Sequence, residues 1–474
     1  MINYQKRRLI MKILLIQPRS EAIGFTHLIL CEPLGLEMVG GALHGHKVKI
    51  LDLRFRNHLP SILSTFKPDL CGISCIYTID YSSTVRLAQT IKYFLPHSFI
   101  VVGGHHASLN YQDFVSHKEI DAVVIGEGEQ TLRELVNCLE MNGDLRQIPG
   151  LALNQNGNQL LTPPRTFQKN LDDLPLPLRE GAGRNLYHLG FQRPTALMET
   201  SRGCPYQCTF CGVWQFYQKS YRRKSAERVV EELKGIKEPF ILFTDDNFLM
   251  DVKRAEKIAQ LIKNQKIKKT YTFQARSDTI VEYPEIMKLW KEVGLRNVFI
   301  GFEKVKDEEL KTLHKNNLIE NNDKALQILQ TLGIEVWASF IIDPEYDHKD
   351  FKRLKDYILN RKIKTPTFSV LTPLPGTALF YQLKEKLISK DFNLFDIAHA
   401  VLPTKLPLQE FYKEFCSLYR LPYSKYQLIL EGFSAWFSHG FPLSHLLGML
   451  RSAKRLSDPR YLLKAHRGSG RIDF

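Results

Sequence analysis

The sequence predicts an α/β protein with two consecutive parallel-sheet halves followed by a helical C-terminal region. Three observations carry this. Short apolar runs alternate with helix-periodic stretches along most of the chain, the pattern of βαβ units. A proline-containing stretch near the middle separates two such series, and beyond about Asp391 the strand patterns give way to helical, aromatic sequence. With 474 residues, 44% of them hydrophobic, the chain can fill two or three ordinary cores.

The chain opens on a basic stretch, Met1–Arg8, and an apolar run, Leu9–Ile16, interrupted by Lys12. No small-residue cleavage site follows, so the run reads as a buried strand rather than a signal peptide, with the residues before Met11 as an unstructured leader or an over-long start. A cytoplasmic location is the expectation. In the first half, residues 11–145, the expected strands are Lys12–Gln17, Lys47–Leu53, Leu70–Cys75, Phe99–Gly103 and Ala122–Ile125. In an open, doubly wound sheet, ligands sit beyond the carboxyl ends of the strands. Those ends carry Ser74, Gly103-Gly104-His105-His106 and Gly126-Glu127-Gly128-Glu129, whose glycines let a large ligand approach the backbone.

Residues 146–193 read as a linker, with a hairpin turn at Asn154–Asn158 and then extended chain through Thr162-Pro163-Pro164 and Leu174-Pro175-Leu176-Pro177. The second half, residues 194–390, has expected strands Ala196–Thr200, Phe240–Phe243, Tyr271–Ala275, Asn297–Phe302, Glu335–Ile342 and Thr367–Leu371, with helical stretches such as Ala226–Ile236 and Ala255–Lys263 between them. Six βα units make a partial barrel, whose chemistry should gather at the strand C-termini. Residues 391–474 form the helical C-terminal region.

The strongest chemical signal is Cys204-Pro-Tyr-Gln-Cys208-Thr-Phe-Cys211, just after the first strand of the second half. Clustered thiolates hold iron–sulfur clusters, and three ligands leave one iron of a four-iron cluster open to a substrate or cofactor atom. Zinc is the plain alternative, but it asks for a fourth Cys or His at short range. No histidine lies between His188 and His314, and the nearest other cysteines are Cys138 and Cys416. A disulfide framework is not expected, because the other five cysteines are scattered and no secretory signal is present.

With its flanks, Met-Glu-Thr-Ser-Arg-Gly-Cys-Pro-Tyr-Gln-Cys-Thr-Phe-Cys-Gly resembles the Cys-x3-Cys-x2-Cys signature of radical S-adenosylmethionine (SAM) enzymes. The resemblance implies a [4Fe-4S] cluster on Cys204, Cys208 and Cys211, SAM chelated at the open iron, and Phe210 packed near the adenine. Asp245 and Asp246 match a family segment near the methionine end of SAM, with helix capping by Asp246 or Asn247 as the alternative. Glu303 matches the acid that hydrogen-bonds the SAM ribose or amine, and Arg276 has the geometry to pair with a carboxylate. Leu371–Thr377 resembles the last-strand loop of the same class.

In the first half the ordered set Glu32-Pro33-Leu34-Gly35-Leu36-Glu37, Gly45-His46-Lys47-Val48 with Asp52, Val-Val-Gly103-Gly104-x-His106-Ala-Ser, and Gly126-Glu127-Gly128-Glu129-x-Thr resembles the Rossmann-like cobalamin-binding domain of class B radical SAM enzymes. It implies Pro33, Leu34, Gly35, Ser74, Gly103, Gly104, His106, Gly126, Glu127, Gly128 and Glu129 around methylcobalamin. His105 stands where the family usually has proline, and the helix before Gly45 reads as short. The Asp-x-His-x-x-Gly motif that supplies a histidine to cobalt in other cobalamin proteins is absent after the first strand. Cobalamin bound without a lower-face histidine is therefore expected, with His46, His58 and His106 as surface or packing residues.

The run from Asp396 to Leu408, followed by Phe411-Tyr412, is most similar to the hopanoid C-3 methylase group. The resemblances together imply a cobalamin-dependent radical SAM methyltransferase acting on an unactivated carbon of a hopanoid or related terpenoid lipid, fed by a flavodoxin- or ferredoxin-type electron donor. The rival readings are an oxidative cyclase of the magnesium-protoporphyrin monomethyl ester type and a non-catalytic cobalamin or cluster protein. Gly432–Leu450 is uncharged but interrupted by Gly440 and Pro442, and basic residues from Arg451 onward follow it. It reads either as a segment lying on an anionic membrane or as a helical cap with a solvated basic face. The net charge of +15 suits an anionic partner. Nucleic acid is not expected, since the chain has none of the usual recognition motifs.

Overall fold

The structure, a computed structural model, describes residues 10–19, 29–55, 58–155, 157–180, 183–421 and 443–468. The chain divides into two compact units. Among the described residues the first holds the chain up to Arg19 and from Pro33 to Glu180, and the second holds Ile29–Glu32 and everything from Gly183.

The first unit is a seven-stranded sheet: β1 (Lys12–Gln17), β2 (Lys47–Asp52), β3 (Leu70–Ser74), β4 (Phe99–Gly103), β5 (Ala122–Val124), β6 (Leu151–Gln155) and β7 (Asn158–Leu161). Their order is β2-β1-β3-β4-β5-β6-β7, parallel through β5 and antiparallel for the last two. Central strands must be apolar on both faces, because helices cover both. In β1, Leu14 and Ile16 join a layer with Leu63, Ile91 and Phe114, while Ile13 and Leu15 join the opposite layer with Leu36 and Leu135. The β6–β7 turn is closed by Asn154 Oδ1, which accepts from the Gly157 amide at 2.9 Å.

The proline-containing chain after β7 packs on this same unit. Gly150 N donates to Pro163 O at 2.8 Å, and Leu178 N donates to Glu37 O at 2.7 Å. Gly41, in the helix Leu34–Ala42, lies so close under this chain that a Cβ would come within 2.1 Å of Leu176 O. Proline rings favour extended chain, which can lie along a helix without needing a sheet partner.

The second unit holds six parallel strands in sequential order: β8 (Thr195–Met198), β9 (Phe240–Phe243), β10 (Thr270–Gln274), β11 (Leu295–Glu303), β12 (Glu335–Ile342) and β13 (Thr365–Val370). Alternate residues face opposite ways. In β12, Val336, Ala338, Phe340 and Ile342 pack into the helical layer, while Trp337 and Ser339 face the other side and stay half-buried. Trp290, fully buried, meets Phe243, Phe248, Tyr271 and Phe273 edge to face. Ile29–Leu30 pairs antiparallel with His188–Leu189, and Glu32 accepts the Leu197 amide at 2.6 Å and pairs with Arg184 at 2.6 Å. The Glu32–Glu37 motif is therefore divided between the two units at Pro33.

The C-terminal region becomes helical later than its composition suggests. Among the described residues its helices are Leu408–Leu418, Leu443–Leu456 and Pro459–Gly468. Residues 396–407 are irregular, with Ile397 at φ +59° and prolines at 403 and 407 interrupting helical hydrogen bonding. No helix among the described residues is long and apolar enough to cross a membrane. The leader and most of the Gly432–Leu450 segment lie outside the described residues.

Candidate functional site

After β8 the chain turns into the cysteine loop on a buried carboxylate. The Thr200 amide (3.2 Å), the Thr200 hydroxyl (2.9 Å) and the Ser201 hydroxyl all donate to Asp245 Oδ1. Arg254 supports the same turn from the Thr200 carbonyl (3.2 Å) and hydroxyl (3.1 Å). Gly203 follows at φ +88°, where a Cβ would lie 2.1 Å from Ser220 O, so no other residue fits. Its amide donates to Asp246 Oδ2 at 3.2 Å. Burial, then the neighbouring Asp245, pushes the Asp246 carboxyl up to about 7. The next helix, Val252–Asn264, is capped by Asp251, leaving Asp246 to the loop.

The middle of the loop is pinned as well. Thr209 N donates to Leu313 O (3.0 Å), Leu379 N donates to Thr209 O (2.9 Å), and the Trp214 indole donates to Cys208 O (2.9 Å). Phe210 packs against Leu313, Ile341, Leu371 and Leu379. Burial raises all three thiol pKa values, Cys211 to about 12, and the neighbouring thiols add to this at Cys204 and Cys211.

Glu303 ends β11 at φ +61°, beside a bulge in the β11–β12 pairing. A Cβ on Gly301 would lie 2.0 Å from Glu303 Oε1 and 2.8 Å from Lys315 Nζ. The bare backbone there makes room for an ion pair, Lys315 Nζ to Glu303 Oε1, at 2.7 Å. Lys315 is delivered by a turn in which His314 and Asn316 both hold positive φ, +52° and +48°, a strain that functional sites store. Arg276 donates to the Lys315 (3.0 Å) and Asn316 (2.7 Å) carbonyls, pairs with Asp278 at 2.5 Å, and stacks 3.9 Å over Tyr206 of the cysteine loop. At Cys208, burial raises the thiol while Lys315 and Arg276 pull it down.

The three cysteines, Phe210, Asp246, Arg276 and Glu303 thus meet at one end of the second unit's strands. Asp245 lies under the loop, with its carboxylate taken up by Thr200 and Ser201. Sequence reading missed Tyr206 and Lys315. Tyr206 stands inside the motif, where it could have been noticed. Lys315 sits in a polar run, His314-Lys315-Asn316-Asn317, that has no informative spacing.

In the first unit Ser74 and Gly103 are register partners at the carboxyl ends of β3 and β4. Gly104, at φ +118°, passes so close to Cys75 O that a Cβ would lie 2.6 Å away. Ser108 ties two glycine turns together, donating to Gly104 O (2.8 Å) and accepting from Gly126 N (3.0 Å). The Pro33 carbonyl accepts from the Leu36 and Glu37 amides, and at Gly35 a Cβ would meet nothing within 4 Å.

His106 is buried, with Nδ1 3.2 Å from both Thr78 Oγ1 and Asn110 Nδ2, and its ring packs against Tyr81 and Phe114. Burial pushes its imidazole down from 6.5 to about 4. Between those values the unfolded chain takes up a proton that the folded unit refuses. Stability should therefore fall as pH drops through that window, by at most about 1.4 kcal/mol per pH unit. His106→Gln should flatten this slope in urea midpoints of the first unit at pH 7 and pH 5. An unchanged slope would refute the assignment.

Residues 23–136 match the profile of the B12 binding domain, and residues 198–358 match that of the radical SAM superfamily. The chain is 36% identical over 425 residues to the hopanoid C-3 methylase of Methylococcus capsulatus, a match covering 88% of this chain and 81% of that one. It belongs to the cobalamin-dependent radical SAM methyltransferases. A weaker relative is the anaerobic magnesium-protoporphyrin IX monomethyl ester cyclase of Rubrivivax gelatinosus, 26% identical over 72% of this chain and 63% of that one. In fold the chain is similar to the radical SAM methyltransferase TsrM of Kitasatospora setae (TM-score 0.66, 18% identity, 79% of this chain and 76% of that one). It is also similar to the cobalamin-dependent enzyme OxsB (TM-score 0.64, 18% identity, 97% and 80%).

The cofactors of this family are a [4Fe-4S] cluster, SAM and cobalamin, and the residues present fit them. Among the described residues no three Cys, His, Asp or Glu side chains converge as ligands of a single ion. Cluster ligands need not converge, because each thiolate takes a separate iron. Burial alone would keep the thiols protonated, and it is the Lys315 and Arg276 charges near Cys208 that favour the thiolate form that binds iron. In the first unit the open space at Gly35 leaves room for a corrinoid near the strand ends, while Gly104 lets two of the chain's own turns pack closely there.

Proposed function

We propose that this enzyme methylates an unactivated carbon of a hopanoid or a related terpenoid lipid. The observation that carries this reading is the 36% match to the hopanoid C-3 methylase, which spans most of both chains. Two structural features support it. The Asp396–Leu402 run sits at the carboxyl end of the last strand, where Val370 N donates to Ile397 O at 2.7 Å. The sheet face away from the helices offers half-buried Leu242, Phe299 and Trp337 to a hydrocarbon skeleton, among polar residues such as Thr272, Asn297 and Ser339.

In this reading Cys204, Cys208 and Cys211 hold the cluster, and Phe210 packs beside SAM. Asp246, Glu303 and Arg276 position SAM, while Asp245 holds the loop. Pro33, Leu34, Gly35, Ser74, Gly103, Gly104 and the Gly126–Glu129 turn surround the corrinoid, with His106 packing beneath. When bound, the cofactors supply one-electron cleavage of SAM and the transferable methyl group. The protein's part is to hold the Glu303 carboxylate and the thiolates in place, exclude water, and orient the lipid carbon. The electron would come from a flavodoxin- or ferredoxin-type donor, and lipid access could involve contact with a membrane surface.

Reconstituted enzyme given methyl-labelled SAM, a reductant and a hopanoid should transfer the label to the lipid. Oxidation of a porphyrin ester without label transfer would favour the cyclase reading, which the 26% match to the cyclase keeps in view. Lys315→Met should leave iron content unchanged but weaken SAM binding about 10-fold or more, because it strands the Glu303 carboxylate without its partner. Equilibrium dialysis with SAM checks this, and parental affinity would exclude the role.

A further inference from the structure

We propose that Arg165–Gln168, in the chain after β7, forms one wall of the corrinoid site, and that the cleft behind it takes a carboxamide arm from the edge of the corrin ring. This rests on reading the first unit as the cobalamin-binding unit. It goes beyond that reading, because the B12 binding profile ends at residue 136.

The cleft is lined by Ile125, Glu127 and Glu129 on one side and by Arg165, Phe167 and Gln168 on the other. Its position fits the reading, since Ile125–Glu129 leaves the carboxyl end of β5, where ligands of open parallel sheets bind. Its volume is about 40 Å³. One water needs roughly 10–15 Å³ on the same measure, so the cleft suits a group of a few heavy atoms rather than a ring system.

The wall is built rather than merely passing by. Arg165 grips Glu134 with both terminal nitrogens and donates from Nε to Pro149 O at 3.2 Å. Gln168 Nε2 donates to Asn170 O and Asp173 Oδ2, each at 3.2 Å. At Gly126, φ +83°, a Cβ would lie 3.6 Å from Phe167 Cε1, so the ring packs on the backbone of the glycine turn. A spacer needs only length, whereas this segment is fastened side chain by side chain opposite the loop.

The lining selects the occupant. Glu127 and Glu129 would repel the phosphate of a nucleotide tail, and Phe167 disfavours a bare ion. A primary carboxamide is neutral, and it both donates and accepts, which matches carboxylate acceptors facing Arg165 and the Gln168 amide. Corrin rings are rimmed with such amides.

The test uses the full chain, purified without oxygen and titrated with hydroxocobalamin and with cobinamide, which lacks the nucleotide tail. Retained corrinoid is read by its visible absorption after gel filtration. Phe167→Ala and Gln168→Ala should each lower affinity for both corrinoids about 10-fold. Iron content and the thermal midpoint of the corrinoid-free chain should stay at parental values. Parental affinity for both corrinoids in the two variants overturns the proposal. So does a loss confined to cobalamin, which would put the tail in the cleft. A parent chain that retains neither corrinoid overturns the underlying reading, and the proposal with it.

Discussion

Cys208→Ala, prepared without oxygen, is expected to contain almost no iron or acid-labile sulfide and to form no deoxyadenosine from SAM. Cys208 is buried, at 7% exposure, and its carbonyl is held by the Trp214 indole. Two thiolates cannot hold the cluster in its open-corner form, so SAM cleavage should fall to background. On the scale of enzymic rate enhancements that is a loss on the order of 10⁶-fold or more. The loop itself should stay in place, because Gly203, Thr209 and the Asp245 carboxylate anchor it independently of the sulfur. Cys71→Ala is the control. Its thiol is buried as well, but in β3 of the first unit, and the variant should keep parental iron. Parental iron and SAM cleavage in Cys208→Ala would end the cluster assignment.

Asp245→Ala is expected to do its damage through folding. The Asp245 carboxylate is fully buried and takes hydrogen bonds from Thr200 N, Thr200 Oγ and Ser201 Oγ, while Arg254, also buried, leans on the same threonine. Removing it strands three buried donors and takes a negative charge from near Arg254, which keeps its bonds to Thr200 and to the Lys224 carbonyl. Breaking a buried charged network in this way costs about 3–5 kcal/mol. For a unit of this size that is a fall in the midpoint of its thermal transition on the order of 10 °C. Iron content should drop too, because the start of the cysteine loop loses its anchor. Asp245→Asn keeps the shape and part of the acceptor capacity, so it should fall between parent and alanine variant. A midpoint within about 2 °C of the parent in Asp245→Ala would show that the network contributes little.

Much of the architecture could be read before any fold was known. The expected and observed limits of β1, β4, β9 and β12 coincide, and the other parallel strands differ by a residue or two at their ends. Strands buried on both faces leave continuous apolar runs, and their ends are marked by Gly, Asp or Ser, so the signal is local. The hairpin at Asn154 was equally legible, since a turn is encoded in adjacent residues. The C-terminal run was harder to place. The sequence from about Asp391 suggests helix, but Pro403, Pro407 and the left-handed Ile397 delay it to Leu408.

Contacts between distant residues left no such trace. Nothing near Lys315 announces Glu303, because the pair depends on a missing side chain at Gly301 and on two left-handed turn residues. Nothing in Leu174-Pro175-Leu176-Pro177 says that it lies on the helix Leu34–Ala42, since extended proline-rich chain reads alike whether packed or free. Asp245 and Asp246 are neighbours with the same chemistry, yet one faces Thr200 and Ser201 and the other the Gly203 amide.

Local order alone therefore specified the two parallel sheets, the three-thiol loop and the cofactor family, because periodicity and short spacings survive in a linear string. Folding settled which carboxylate is structural, which lysine meets Glu303, and which unit claims Glu32 and the chain after β7. Those outcomes depend on approach distances of a few ångströms between residues dozens of positions apart, and a linear spacing carries no record of them.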